Sequence, residues 1–223
     1  LKVSPAARPL MGGARAAVPF AVPVFAFGVS LGVLAKGAGY PFAATVLMSS
    51  LTFVGSSQFA TVSVMAGGGG LLMAVLAGAL LNLRYLVMGF AISPALRGGR
   101  LRRARDSQLV IEESWAIAAT PGGGFDYARL MGSGLVLWAA WSLGTAIGAA
   151  GPFSGADLER FGFDAISPAL FFLLLTSHLE TGEQRAVAAA GGLLSIGFLA
   201  TGLVNWAIFG VCAAALWWTW RRP

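Results

Sequence analysis

A chain of 223 residues that is 57% hydrophobic and only 11% charged carries too little charge to coat a soluble surface of its size, since soluble domains carry about 25% charged residues. Its net charge of +6 would suit nucleic acid in a soluble protein. Here, however, the basic residues sit between long apolar runs, where positive-inside placement accounts for them and no nucleic-acid partner is needed.

Six runs reach or approach the roughly 20 apolar residues needed to cross a bilayer core about 30 Å thick. They are 18–35, 41–66, 71–96, 130–150, 163–179 and 186–220, the last long enough for one tilted helix or two short ones. None alternates apolar with polar residues as an outer-membrane strand would, so the expected class is an all-α polytopic membrane protein. The lipid bilayer is its solvent. The expectation is six or seven membrane segments in a single transmembrane domain over 1–223, in a bacterial cytoplasmic (inner) membrane.

The first run is too long for a signal-peptide core and no small-residue cleavage site follows it closely, so it reads as a retained helix. The second is interrupted midway by Gly55-Ser56-Ser57-Gln58, and a broken or re-entrant segment is expected there, lining a polar cavity. The four glycines from Gly67 read as a turn. The third run carries Asn82 and Arg84. Arg84 lies about 8 residues from the end of the apolar stretch 71–92, about 12 Å deep at 1.5 Å per residue. A charge near the centre of a spanning helix costs about 2.5–3.5 kcal/mol on insertion scales, so a carboxylate partner or a substrate carboxylate is expected beside it.

The strongest basic cluster follows: Arg97, Arg100, Arg102, Arg103 and Arg105, read as a cytoplasmic loop. Asp106 or Ser107 could then cap a helix of about 14 residues running to Thr120, where Pro121 and three glycines end it. It carries Glu112 and Glu113, which point about 100° apart on a helix, and it is too short to span. After the fourth run, Asp157 and Glu159 form an acidic loop suited to the opposite face. Asp164 stands at the mouth of the fifth run, as a helix cap or a coupling residue. His178 lies in a polar loop beside Glu180 and Glu183, and Cys212 reads as a small core residue.

Three crossings before Arg97 would put the basic loop opposite Lys2, Arg8 and Arg15, which the positive-inside rule forbids. Either one segment fails to cross fully or one contains an extra pass, and the interrupted second run is the candidate; the alternative is an outward start to the chain. A faint repeat is also visible. Gly28-x-x-x-Gly32 resembles Gly144-x-x-x-Gly148, and Asn82 and Gly89 have counterparts in Asn205 and Gly210. They suggest two halves, 18–96 and 128–220, joined by 97–127, though small residues also recur at helix contacts by packing need alone.

Four stretches together resemble the AzlC family of branched-chain amino-acid exporters. Leu47 to Ala60 has the apolar run, small-residue break and Gln-Phe-Ala, and Leu81-Asn82-Leu83-Arg84-Tyr85 is similar to the family's Asn-x-Arg-aromatic stretch. Glu112-Glu113-Ser114-Trp115 resembles its acidic pair before an aromatic, and Phe163 to Phe171 resembles its Asp-Phe-Ala-x-Pro-Ala-Leu-Phe element. The order and spacing agree over about residues 18–220. Ser56-Ser57 departs from the more usual alanines, and His178-Leu179-Glu180 is not part of the pattern. The resemblance implies a secondary transporter of branched-chain amino acids with a small AzlD-type membrane subunit as partner.

A zwitterionic substrate needs donors for its carboxylate, an anion for its ammonium and an apolar surround. Gln58, Asn82, Arg84 and Glu112 or Glu113 are the candidate binding residues, with Asp164 a coupling candidate. Gln58 and Asn82 have an equally good structural reading as amides bonded between helices. No metal-ligand set, P-loop or nucleophile–base pair is present, so no cofactor or metal is expected and an enzyme is not. The alternative to an exporter is a channel or a structural subunit of a larger complex.

Overall fold

The computed structural model describes residues 7–160, 172, 175, 176, 179 and 181–201. The chain divides into two compact units, one up to Leu170 and one from Phe171. In the first, α1 (Ala7–Gly37), α2 (Phe42–Thr52), α3 (Gly55–Ala66), α4 (Leu71–Asn82) and α5 (Arg84–Ile92) are followed by a 3-10 turn at Ser93–Ala95. Then come α6 (Arg100–Ser107), α7 (Glu112–Ala118), α8 (Tyr127–Ala150) and α9 (Gly155–Arg160). In the second unit, α10 (Gly182–Ala200) is opened by a capping box between Thr181 and Gln184. The described residues are helical apart from turns and one isolated bridge, Ala119 to Phe125.

By length and hydropathy, α1 and α8 can each cross a membrane, and α4 with the helical stretch Arg84–Ala95 can do so as one span bent by 42°. The all-helical expectation holds, with two to three candidate spans among the described residues. The third run is thus two helices, bent at Leu83 between Asn82 and Arg84.

Close approach of α1 and α8 organises the first unit. A Cβ placed on Gly28 would lie within 3.0 Å of the backbone at Trp141 and Thr145, and one on Gly144 would meet Phe25 and Val29. Gly32 meets Thr145 and Ala149 in the same way, and Gly148 meets Val29. Only glycine lets the two backbones come this near. Numbers rise together along both helices, from Gly13 beside Arg129 to Gly32 beside Ala149, so α1 and α8 run parallel. The contact is also reciprocal. Gly28 and Gly144, Phe25 and Trp141, and Val29 and Thr145 are each 116 positions apart, and each member of a pair meets the counterparts of what the other meets. That reciprocity is the signature of a local two-fold axis.

Parallel helices put the start of α1 and the start of α8 at one end of the molecule. The basic segment is at that end too. The Arg97 guanidinium lies 5.0 Å from the Tyr127 ring centroid, and the Tyr127 hydroxyl donates to buried Asp106 at 2.6 Å. Arg105 adds a 2.9 Å contact to Asp106, and Arg103 donates to Ser93 Oγ at 2.6 Å. Arg100, Arg102, Arg103 and Arg105 therefore belong to α6, with Arg97 just before it, and the expected loop is corrected to a helix over Arg100–Ser107. The expected single helix up to Thr120 is likewise corrected to α6 and α7, parted at Gln108–Ile111, with Asp106 in the last turn of α6 and not at a cap. Asp126, which accepts from the backbone N–H of Ala128 and Arg129, caps α8. At the opposite end Lys36 Nζ donates to Gly151 O at 2.7 Å, and acidic Asp157 follows in α9.

The segment between must therefore return to the basic end. α3 and α4 are antiparallel: Thr61 Oγ1 donates to Ala74 O at 3.2 Å, and Gly78 sits against Ser57 and Thr61. α5 leads to Ile92, which packs with Val110, Ala118, Leu130 and Met131 at the basic end. The bent α4–α5 pair makes the return, so α3 runs the other way, and α2 enters from the Lys36 end only as far as the break. The chain turns back there. This order of contacts places the start of α1 and the basic segment at the same end of the first unit.

Candidate functional site

The break lies at Phe53–Val54, two residues before the expected place. Phe53 takes a left-handed conformation (φ 38°, ψ 47°) and Val54 an extended one (φ −136°, ψ 96°). A left-handed non-glycine residue costs of order 1–3 kcal/mol unless its surroundings enforce it. Phe53 is buried, with 2% of its surface exposed, so packing holds the conformation. Gly55 to Gln58 are helical, forming the first turn of α3, so of the expected non-helical or kinked stretch only the break just before it is present. Gly55 stands against the Trp141 ring, where a Cβ would come within 2.9 Å of Cη2. The polar residues matter because they open a helix inside an apolar segment: the N–H groups of Gly55, Ser56 and Ser57 have no intrahelical acceptor, and the first helical bond is from Gln58 N–H to Val54 O at 3.2 Å.

Gln58 is turned toward α8. Its side-chain oxygen accepts from Trp141 Nε1 at 3.0 Å and its amide nitrogen donates to Ser49 Oγ at 3.5 Å. Ser49 donates in turn to Thr145 Oγ1 at 3.1 Å, and Trp138 Nε1 donates to Ser50 O at 2.9 Å. This buried network ties both sides of the break to the glycine-packed helix. Replacing Gln58 by leucine would strand the Trp141 N–H, and an unsatisfied buried donor costs about 1–3 kcal/mol. Gln58→Leu is expected to lower the melting temperature of the substrate-free protein in detergent by several degrees. An amide that served substrate alone would leave that temperature unchanged.

Arg84 opens α5 immediately after the bend and reaches the other side of the break. Its Nη2 donates to Ser56 Oγ at 2.7 Å and lies 2.8 Å from Glu112 Oε1. The expected carboxylate partner is therefore Glu112, while the neighbour on α3 is Ser56 and not Gln58. The arginine side chain is 42% exposed and that of Glu112 28%. Among the described residues, Nε and Nη1 of Arg84 have no acceptor. Tyr85 donates its hydroxyl to Glu112 Oε2 at 2.6 Å, and the Arg84 guanidinium sits 5.2 Å from the Tyr85 ring centroid.

Glu112 and Glu113 form the first turn of α7, where the helix dipole favours negative charge. Glu113 is 7% exposed and bonds to no residue but itself among the described residues. Burial is the main cause that pushes its carboxyl up to about 7; Glu112 adds to the shift and Arg84 opposes it. Asn82 lies at the bend, its Oδ1 buried without a hydrogen-bond partner among the described residues. Asp164, His178, Glu180, Asn205, Gly210 and Cys212 lie outside the described residues.

Three helix ends thus converge: the start of α3, the bend between α4 and α5, and the start of α7. The structure brings Arg84 and Glu112 into contact, sets Glu113 and Asn82 beside them, and directs Gln58 elsewhere. Two further residues join the site that the sequence did not nominate. Ser56 was visible as the polar substitution in the break, and Tyr85 as a phenol adjoining an arginine inside an apolar run. No group of three or more His, Cys, Asp or Glu suited to a metal occurs among the described residues.

The model of the family described as AzlC protein matches residues 19–152, which include all the described site residues. An uncharacterized membrane protein of Archaeoglobus fulgidus is 31% identical over 191 residues, covering 84% of this chain and 82% of its own. Inner membrane protein YgaZ of Escherichia coli is 25% identical over 204 residues (84% and 80%). The branched-chain amino acid transport protein AzlC of Bacillus subtilis is 24% identical over 197 residues (83% and 75%). No solved structure matches. Relatives named as a membrane protein and an inner membrane protein agree with the apolar helices, and with more than half of the chain covered by the family model, this membrane protein belongs to the AzlC family.

Proposed function

We propose that this protein is a secondary exporter of branched-chain amino acids such as valine, leucine and isoleucine. The carrying observation is the Arg84–Glu112 ion pair at the junction of three interrupted helices. A zwitterion presents the same two charges. Its carboxylate would take the guanidinium with Ser56 and the free N–H groups of α3 as further donors. Its ammonium would take the carboxylate that Arg84 gives up. Exchange of one ion pair for two keeps every charge compensated at membrane depth, where an unpaired one is expensive.

Interrupted helices around a central site are the usual hinges of alternating access. The turn at Phe53–Val54 and the bend at Leu83 supply two. In this reading the basic end is cytoplasmic, the segments number six or seven in two halves, 18–96 and 128–220, and a small membrane subunit of the AzlD type completes the transporter. The reciprocal contact of α1 and α8 supports parallel halves. The name of the Bacillus subtilis relative supports the substrate class.

The test is uptake of labelled valine by inverted membrane vesicles, with and without an imposed proton gradient. Saturable, gradient-dependent accumulation that leucine and isoleucine inhibit is expected. Non-saturable flux would replace the exporter with a channel, and no flux beyond that of vesicles lacking the protein would remove both.

A further inference from the structure

Glu113 is a buried acid with no counter-ion of its own among the described residues, set one residue from the ion pair that the proposed substrate would open. The charged groups acting on it are Glu112 of its own helix and Arg84 of α5, and Tyr85 is the neighbouring titratable group. Helices α1 and α8, which also pack against α7, bring none of their charged side chains to bear on it. With the site empty, Arg84 and Glu112 neutralise one another, so the local charge offers Glu113 nothing to hold an anion against burial. An ammonium arriving at Glu112 would change that, because a cation within a few ångströms favours the ionised form of both carboxyls.

We propose that Glu113 is the proton carrier of this transporter, holding a proton while the site is empty and giving it up when the ammonium of the substrate binds. The inference rests on the exporter reading above and divides the labour of the acidic pair: Glu112 receives the ammonium and Glu113 exchanges the proton. The O–H bond of the Glu113 carboxyl breaks, the proton passes to water, and the substrate cation replaces it as the compensating charge. Proton and amino acid then occupy the site in turn, which is the condition for antiport. The upward displacement of the Glu113 carboxyl toward neutrality agrees with a group that is protonated at the start of this cycle.

The direct measurement is proton release on adding valine to the purified protein in weakly buffered detergent solution near pH 7. Wild type should release protons, and its affinity for valine should rise with pH, approaching tenfold per unit below the titration and levelling above it. Glu113→Gln should release none and bind valine with an affinity that no longer varies with pH. In proteoliposomes this variant should lose accumulation driven by a proton gradient. Glu113→Asp, which preserves a titratable group, should retain release. Proton release from Glu113→Gln equal to wild type, or none from wild type on valine binding, overturns the assignment and leaves the exporter reading standing. Absence of valine binding by wild type overturns both.

Discussion

Arg84→Lys is expected to cut saturable valine transport by about tenfold to a hundredfold at equal membrane levels, and Arg84→Ala to abolish it. The guanidinium joins Ser56 on α3 and Glu112 on α7 through Nη2, and among the described residues its Nε and Nη1 have no acceptor. A lysine ammonium keeps the charge and can still meet Glu112. It cannot present two parallel donors to a carboxylate. Hydrogen bonds to charged groups are worth about 1.5–3 kcal/mol each, which corresponds to that loss. The contrasting hypothesis is an arginine that serves only to neutralise Glu112, which lysine would satisfy. Transport assays of the two variants, with detergent melting curves to establish folding, decide between them. Near-normal transport by Arg84→Lys removes the substrate clamp.

The second large effect is expected at Gly144, on stability. Its missing side chain leaves room for the backbone of Phe25 and Val29, and alanine there would force α1 and α8 apart along their whole contact. Overpacking of this kind costs about 1–3 kcal/mol. Gly144→Ala should therefore lower the melting temperature by several degrees, and Gly144→Leu should yield no folded protein. Gly89 in α5 is the contrasting position, where a Cβ would meet nothing within 4 Å. Gly89→Ala should leave stability unchanged or raise it by up to about 1 kcal/mol, since alanine is the better helix former. Equal melting temperatures for Gly144→Ala and Gly89→Ala would show that the glycine seam is not what joins the two helices. The measurement is fluorescence-detected unfolding of the purified variants.

Much of the site was readable as a list of costs. An arginine about 12 Å deep in an apolar run requires a partner wherever the chain folds, and Glu112 is one of few acids available to it. Four small or polar residues in the second run announced an interruption for the same reason: an apolar segment does not carry them without use. The exact break was not readable. Phe53 has no local reason to be left-handed, and it is so because burial of its ring and the Gln58–Trp141–Ser49 network hold the two helix ends in place.

Composition and run length alone determined that this chain is helical and lives in a bilayer, because too little charge and too many apolar residues leave no other solvent for it. The paired Gly-x-x-x-Gly motifs were legible too, but their meaning was not, since small residues recur in any membrane helix. Only the tertiary structure brought Gly28 against Trp141–Thr145 and Gly144 against Phe25–Val29 and so made α1 and α8 parallel. Together with the Thr61–Ala74 contact of α3 with α4 and the packing of Ile92, that fact gives the direction of the segments between them. It also decided which polar residues share a site. Gln58 and Arg84 belong to neighbouring runs, yet a helix turn of a few residues sends Gln58 to α8 and Ser56 to Arg84. Successive residues on a helix point about 100° apart, so sequence can nominate a polar turn but packing chooses which of its side chains meets the charge.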